Sequence, residues 1–166
     1  MRPRFKDPRL NAVKARELPL SGQALLDLMR DVLARGVPFR FRARGWSMAP
    51  FIKDGDVITV SPFQGRRPGL GEVVAFVRPG ENKLVVHRIV RQDETNLYIQ
   101  GDNSPDHVDE VIPGENLLGR VRRIERNGRR IWLGLGPERS VIAWLSHGKR
   151  LVPLQARLVS FLRRFT

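Results

Sequence analysis

The pattern of apolar and polar positions predicts one amphipathic helix followed by a series of short strands. After Ser21, a residue type that favours the helix N-cap, apolar side chains recur at helical spacing until Gly36 ends the pattern. The apolar face predicted for this helix consists of Ala24, Leu25, Leu28, Val32 and Leu33. Phe39 and Phe41 then alternate with arginines, which is the period of a strand.

Further segments have strand character and are separated by glycine, proline and other turn residues. They are 57–60, 72–77, 83–91, 96–100, 117–126 and 129–133. Asn127-Gly128 lies between the last two segments and indicates a hairpin. Closely spaced short strands of this kind predict a mainly β fold, an antiparallel and partly barrel-like domain with one N-terminal helix and C-terminal helices.

The same pattern divides the chain into three parts. Residues 1–20 show no periodicity and are predicted to be a flexible basic tail, and residues 21–136 form the β domain with its helix. Residues 137–166 are predicted to be a basic, amphipathic helical appendage whose last helix begins at Pro153. Its apolar side holds Leu154, Leu158, Phe161, Leu162 and Phe165. A helix of about 20 Å is too short to cross a bilayer, but it could lie on a membrane or pack on the β domain.

The net charge of +13 is distributed unevenly along the chain. Residues 1–46 hold eleven Lys/Arg against four Asp/Glu (+7), residues 47–119 seven against eleven (−4), and residues 120–166 twelve against two (+10). Basic flanks around an acidic middle indicate contact with an anionic partner, unless they reflect only a bias towards arginine. We expect an anionic membrane surface as the partner of these flanks and not nucleic acid, because the sequence contains no recognisable RNA-binding motif of aromatic and basic strand residues.

Composition narrows the class of protein further. The chain has no cysteine, which excludes disulfides and thiolate metal sites. No apolar run approaches the roughly 20 residues that a membrane-spanning helix needs, and the amino terminus lacks the apolar stretch of a secretory signal. We expect a cytoplasmic protein, either in solution or peripheral to the membrane, with no cofactor and no metal. The sequence does not define its oligomeric state.

Two blocks carry candidate chemistry. Ser47 follows Gly45 and precedes Pro50 by three residues, an arrangement that presents one hydroxyl on a tight turn. A serine hydroxyl is a poor nucleophile until a base accepts its proton. His87, within the predicted strand 83–91, is the candidate base because imidazole is mostly neutral at pH 7. Lys83 is the rival base, but it lies about 13 Å along the strand from His87, so only one of them can reach the hydroxyl.

A third block, Gly101-Asp102-Asn103 followed by Asp106, supplies carboxylates. The three blocks, in this order over roughly residues 37–126, resemble the type I signal peptidase superfamily, which shares its fold with LexA-type peptidases. The bacterial signal peptidases use a lysine base. His87-Arg88-Ile89 is similar to the motif of the archaeal and endoplasmic-reticulum branch, which pairs serine with histidine.

The resemblance implies a role for each block. Ser47 would be the nucleophile, His87 the general base, and Asp102, with Asp106, the carboxylates that orient the imidazole. Asp109 competes with Asp106 for the second carboxylate role. All three aspartates could instead serve only to form turns.

The resemblance also concerns the residues around the nucleophile. The backbone N–H of Ser47 would stabilise the oxyanion, whereas Gly45 stands where some relatives carry an additional hydroxyl donor. Trp46 and Met48 flank the nucleophile, and they could either pack in the core or line the substrate cleft.

The function implied is that of a serine endopeptidase cleaving a precursor or leader peptide, with small residues before the cut, through an acyl-enzyme. The transmembrane anchor typical of signal peptidases is not evident in the sequence. The alternative is a non-catalytic or self-cleaving regulator of the same fold, whose basic flanks bind a membrane surface or nucleic acid. LexA-type proteins cut themselves at Ala-Gly or Cys-Gly, and neither dipeptide occurs here.

Overall fold

The structure is a computed structural model that describes residues 22–104 and 110–147. In chain order its elements are α1 (Gly22–Ala34), β1 (Phe39–Arg42), β2 (Val57–Ser61), β3 (Val73–Arg78), β4 (Lys83–Gln92), β5 (Leu97–Gln100), β6 (Glu110–Ile112), a 3₁₀ turn (Gly114–Asn116), β7 (Leu117–Arg126), β8 (Arg129–Ile131) and α2 (Arg139–His147).

The strands form one antiparallel sheet in the order β1-β2-β7-β3-β4-β5-β6, with β8 paired to β7. Register shifts within β2, β3 and β4 mark bulges, which increase the local twist and bend the sheet. The sheet curls into a half-barrel, with a helix before it and a helix after it. The predicted fold class, mainly β and partly barrel-like, is confirmed.

The central strand β3 is buried on both faces. Val73 and Ala75 belong to a core that also contains Met29 of α1, whereas Val74 and Phe76 belong to a second core between β3, β4, β5 and β6. A strand covered on both sides needs apolar residues at consecutive positions, which explains the unbroken apolar run of this strand. The candidate base lies on β4, the neighbour of β3, and faces the second core.

The helix α1 forms where the spacing predicts it, but it buries a different face. Its buried residues are Leu26, Met29 and Leu33, whereas Leu28, assigned to the apolar face, is 45% exposed. Because several leucines of α1 are adjacent in sequence, two overlapping faces of the helix are apolar. Packing against the sheet buries the face that contains Met29. Ser21, the predicted N-cap, lies outside the described residues.

The hairpin predicted at Asn127-Gly128 is confirmed. Both residues have positive φ angles, 51° and 74°, as a two-residue hairpin turn of this type requires. Strand β7 has the predicted bounds, while β8 ends at Ile131 instead of continuing to residue 133. The short strand β6, Glu110–Ile112, is absent from the sequence prediction because three residues carry too little periodicity to be recognised.

The first part of the predicted appendage packs on the β domain. In α2, Ile142 packs against Phe51 and Ala143 is fully buried. The predicted tail 1–20 and the last helix beginning at Pro153 lie outside the described residues, so contact of that helix with an anionic membrane surface stays a prediction. Within residues 22–104 and 110–147, no helix has the length and apolar character needed to cross a bilayer.

A buried carboxylate fastens the segment between β1 and β2 to β7. Asp56 accepts hydrogen bonds from Arg126 Nε at 2.9 Å and Nη2 at 2.7 Å, and its Oδ2 accepts the backbone N–H of Lys53 at 2.8 Å. Hydrogen bonding to Asp56 raises the pKa of the Arg126 guanidinium above its ordinary value. The turn that carries Ser47 is therefore anchored to the sheet at its C-terminal end.

We expect Asp56→Asn to lower the free energy of unfolding by about 2 kcal/mol, because it removes the charge that pairs with Arg126 and leaves one oxygen to accept the three N–H groups that donate to Asp56. Urea unfolding of the full chain measures this loss. Asp31→Asn is the matched control, since it removes the same charge at an exposed position of α1. An equal effect of the two substitutions would show that Asp56 has no anchoring role.

Candidate active site

Ser47 and His87 lie side by side, although forty residues separate them in the sequence. Ser47 Oγ is 3.1 Å from His87 Nε2. The side chain of His87 is 8% exposed. His87 lies opposite Val74 of β3, and its ring and that of Phe76 form an edge-to-face pair with centroids 6.1 Å apart. The sheet therefore fixes the direction of the imidazole, and the structure brings the two residues together as the sequence analysis expects.

The turn that carries Ser47 is held by backbone hydrogen bonds. Ser47 O accepts the N–H of Asn103 at 2.7 Å, and Trp46 O accepts Asn103 Nδ2 at 3.3 Å. On the other side, the N–H of Gly45 donates to Asp54 Oδ1 at 2.9 Å. Gly45 has a φ of 92°, which residues with side chains rarely adopt. The hydroxyl is thus presented from a backbone fixed on both sides of Ser47.

Gly101 leaves room for this arrangement. A Cβ atom at this position would lie 2.8 Å from Ser47 O and 3.1 Å from His87 Nε2. The first of these distances is shorter than carbon–oxygen packing allows, so a side chain here would displace the serine turn or the imidazole. The glycine of the Gly-Asp-Asn block therefore acts by letting its backbone pass directly against the Ser–His pair.

Asp102 does not contact the imidazole, and the expectation that it orients His87 is corrected. Its two carboxylate oxygens accept Arg88 Nε and Nη2, each at 2.8 Å, and Oδ1 also accepts Ser146 Oγ of α2 at 3.1 Å. The physical reason is strand alternation, because Arg88 and His87 are consecutive residues of β4 and point to opposite faces. The Asp102 carboxylate therefore lies on the face of β4 that carries Arg88, opposite the face that carries His87.

Arg88 is fully buried and donates beyond Asp102. Its Nη1 donates to the carbonyl oxygens of Gly71 at 2.8 Å and Gly134 at 2.9 Å. The sequence analysis gives Arg88 no role of its own, although strand alternation places it on one face with Val86 and Val90, where an arginine is buried only when it is paired. The ion pair joins β4, the loop after β5, the turn before β3 and the segment between β8 and α2.

The remaining predicted residues occupy different places. Asp106 and Asp109 lie outside the described residues. Lys83 is exposed at the first position of β4. Trp46 is 62% exposed, whereas Met48 is buried in the core that contains Met29.

Trp46 and Met48 both line a groove of about 750 Å³ that reaches the Ser–His pair. Met48 therefore packs in the core and also lines this groove, while contact of Trp46 or Met48 with a substrate stays a prediction. Apolar side chains form much of the groove wall beyond them: Leu25, Phe41, Ile52, Leu84, Val85 and Val86.

Glu110 and Arg78 are near His87 and were not candidates from the sequence. Glu110 Oε1 is 3.9 Å from His87 Nδ1. Arg78 Nε donates to Glu110 Oε2 at 2.9 Å and Nη2 donates to Oε1 at 2.6 Å. The hydrogen bond to Glu110 raises the pKa of Arg78 above its ordinary value. No sequence signal marks Glu110, because it belongs to the short strand β6 that the periodicity does not reveal.

The fold and the serine turn define a peptidase-type β domain of the LexA/signal peptidase superfamily, as the sequence resemblance implies. Residues 15–122 match the family model described as Peptidase S24-like, which covers well over half of the chain. The chain belongs to the Peptidase S24-like family. Among curated proteins, none matches this chain. The family has a serine-peptidase type of fold and also includes members without catalytic activity.

We expect Gly101→Ala to lower the thermal unfolding midpoint by about 5 °C, because relieving the contact with Ser47 O costs about 1–3 kcal/mol. Calorimetry of the full chain measures the change. Gly69→Ala is the control, since nothing lies within 4 Å of a Cβ at Gly69. A midpoint for Gly101→Ala that equals that of the control would contradict the close approach.

Proposed function

We propose that this protein is a serine endopeptidase in which Ser47 is the nucleophile and His87 the general base. The observation that carries the proposal is the 3.1 Å contact between Ser47 Oγ and His87 Nε2. This distance lies within the range of about 2.6–3.2 Å for a base that takes a proton from a hydroxyl. Membership of the Peptidase S24-like family supports peptide-bond hydrolysis as the reaction. The contact between Ser47 and His87 favours a catalytically active member over an inactive one.

The mechanism follows from these positions. Ser47 Oγ attacks the peptide carbonyl carbon while its proton passes to His87 Nε2, and the imidazolium then gives that proton to the leaving amine. The resulting acyl-enzyme is hydrolysed by a water molecule that the same imidazole deprotonates. The backbone N–H of Ser47 is the proposed oxyanion donor. The N–H of Gly45 is directed to Asp54 and is not assigned this role.

The groove beside the Ser–His pair supports a peptide as the substrate. Its volume of about 750 Å³ and its apolar wall suit an extended segment of several residues. Small residues before the cut, and a precursor or leader peptide as the natural substrate, are proposed from the resemblance to the superfamily. Trp46 and Met48 line the groove next to the nucleophile, where they would contact the substrate residues beside the cut.

A regulator without turnover is the second candidate, because the family includes inactive members. In that case the basic flanks would bind an anionic membrane surface or nucleic acid. An assay of peptide cleavage distinguishes the two functions, because a peptidase must cleave peptides and a regulator without turnover need not.

We expect Ser47→Ala and His87→Ala each to reduce peptide cleavage by at least about 10³-fold, since each removes a reacting group. A peptide library of varied sequence, analysed by mass spectrometry, supplies substrates whatever the cleavage preference is. Lys83→Ala tests the rival base and should keep its kcat, because Lys83 lies at the start of β4, four residues from His87; since Lys83 also lines the groove, KM is measured separately. Retained cleavage in either of the first two variants would remove the assignment.

We expect kcat/KM to fall as the pH drops through about 6–7, because protonated imidazole cannot accept the serine proton. The measurement is a pH profile on one cleaved peptide, with the Lys83→Ala variant measured in parallel. An activity that rises only above pH 8, and that Lys83→Ala eliminates, would identify lysine as the base instead.

A further inference from the structure

We infer that Glu110, clamped by Arg78, is the carboxylate that positions the His87 imidazole and stabilises its protonated form. The inference rests on the proposed function, since it concerns the base of that reaction. Glu110 is a positioning residue, because it acts on the imidazole and not on the substrate. It takes the place that the sequence analysis gives to Asp102.

The first support is the side of the ring that Glu110 faces. Its Oε1 lies 3.9 Å from Nδ1, the nitrogen on the other side of the ring from the Nε2 atom that meets Ser47. Strand β6 pairs with β5 so that Glu110 is opposite Ile99, a residue of the second core. The curl of the sheet thus brings β6 towards the face of β4 that carries His87.

The second support is the clamp itself. Arg78, at the end of β3, holds both oxygens of Glu110 in a bidentate pair at 2.9 and 2.6 Å. Bidentate arginine pairing fixes the plane of a carboxylate as well as its position. The clamp thus holds Oε1 at 3.9 Å from Nδ1, a distance at which a carboxylate stabilises the imidazolium by charge without a direct hydrogen bond.

The charges facing the imidazole predict how each substitution acts. Within the part of the chain that the structure describes, Glu110 of β6 lies directly at the ring, and Arg78 of β3 lies behind it with Glu81 at 3.4 Å from Arg78. Arg88 and its partner Asp102 lie on the opposite face of β4. An adjacent anion favours the imidazolium, and a cation close to that anion weakens the effect.

The rival carboxylates are Asp106 and Asp109, which precede β6 in the sequence and lie outside the described residues. The Arg78–Glu110 pair could also serve only to join β3 to β6. A pair that serves only to join the strands would leave kcat and the acid limb of its pH profile unchanged when Glu110 is replaced.

The test is an NMR pH titration of the His87 ring in the full chain with Ser47→Ala, which requires no activity. The chain has three histidines, and comparison with His87→Ala assigns the resonance. We expect Glu110→Gln to lower the pKa of His87 by about 0.5–1 unit and Arg78→Gln to raise it by a similar amount. Arg78→Lys, which keeps the charge, should give a smaller change than Arg78→Gln, and Asp106→Asn and Asp109→Asn should leave the pKa within about 0.3 unit.

A kinetic readout in the background with Ser47 intact complements the titration. We expect Glu110→Gln to lower kcat about 10-fold with KM within twofold, to move the acid limb of the pH profile to lower pH, and to be partly rescued by Glu110→Asp. If a glutamine variant fails to fold, Glu110→Asp and Arg78→Lys provide the comparison.

An unchanged pKa in folded Glu110→Gln, or a larger shift in Asp106→Asn or Asp109→Asn, would overturn the inference. These failures are separate from failure of the proposed function. Cleavage retained by Ser47→Ala would end the peptidase assignment whatever the titration gives. Loss of cleavage in Ser47→Ala and His87→Ala with no shift in Glu110→Gln would end only the role of Glu110.

Discussion

The buried ion pair between Arg88 and Asp102 sets the relation between the strand that carries the imidazole and the loop that supports the serine turn. Arg88 follows His87 on β4, and Asp102 lies between Gly101, which packs on the Ser–His pair, and Asn103, which binds Ser47 O. Removing one partner of such a pair leaves an uncompensated buried charge, at a cost of about 3–5 kcal/mol. The pair therefore keeps nucleophile and base in register without touching the reacting atoms.

Two other constraints act with this pair, and each fixes one member of the site. Asp56 and Arg126 tie the end of the serine turn to β7, while the pairing of β3 with β4 places His87 opposite Val74. The contact of Ser47 Oγ with His87 Nε2 is then a consequence of sheet geometry and not of any direct link along the chain. Helix α2 contributes at a distance, through the hydrogen bond of Ser146 to Asp102.

The sequence was sufficient to predict features that depend on local pattern or on a motif. Most of the strands, the Asn127-Gly128 hairpin and the candidate pair Ser47 and His87 are of this kind. Features set by long-range packing could not be predicted in the same way. The buried face of α1 depends on the side chains of the sheet against which the helix packs. Glu110 becomes a neighbour of His87 only when the sheet curls. The sequence does not identify the partner of Asp102, because the loop that carries Asp102 could face either His87 or Arg88. Strand alternation places these two residues on opposite faces of β4 but does not say which face the loop covers.

The most direct test of a reactive serine in this site is labelling with a fluorophosphonate, which reacts with an activated serine whatever the natural substrate is. The phosphorus bonds to Ser47 Oγ with loss of fluoride, and the modified peptide is mapped by mass spectrometry. We expect a single adduct at Ser47, a labelling rate at least about 100-fold lower in His87→Ala, and an unchanged rate in Lys83→Ala. No adduct at Ser47, or equal labelling rates with and without His87, would contradict the account.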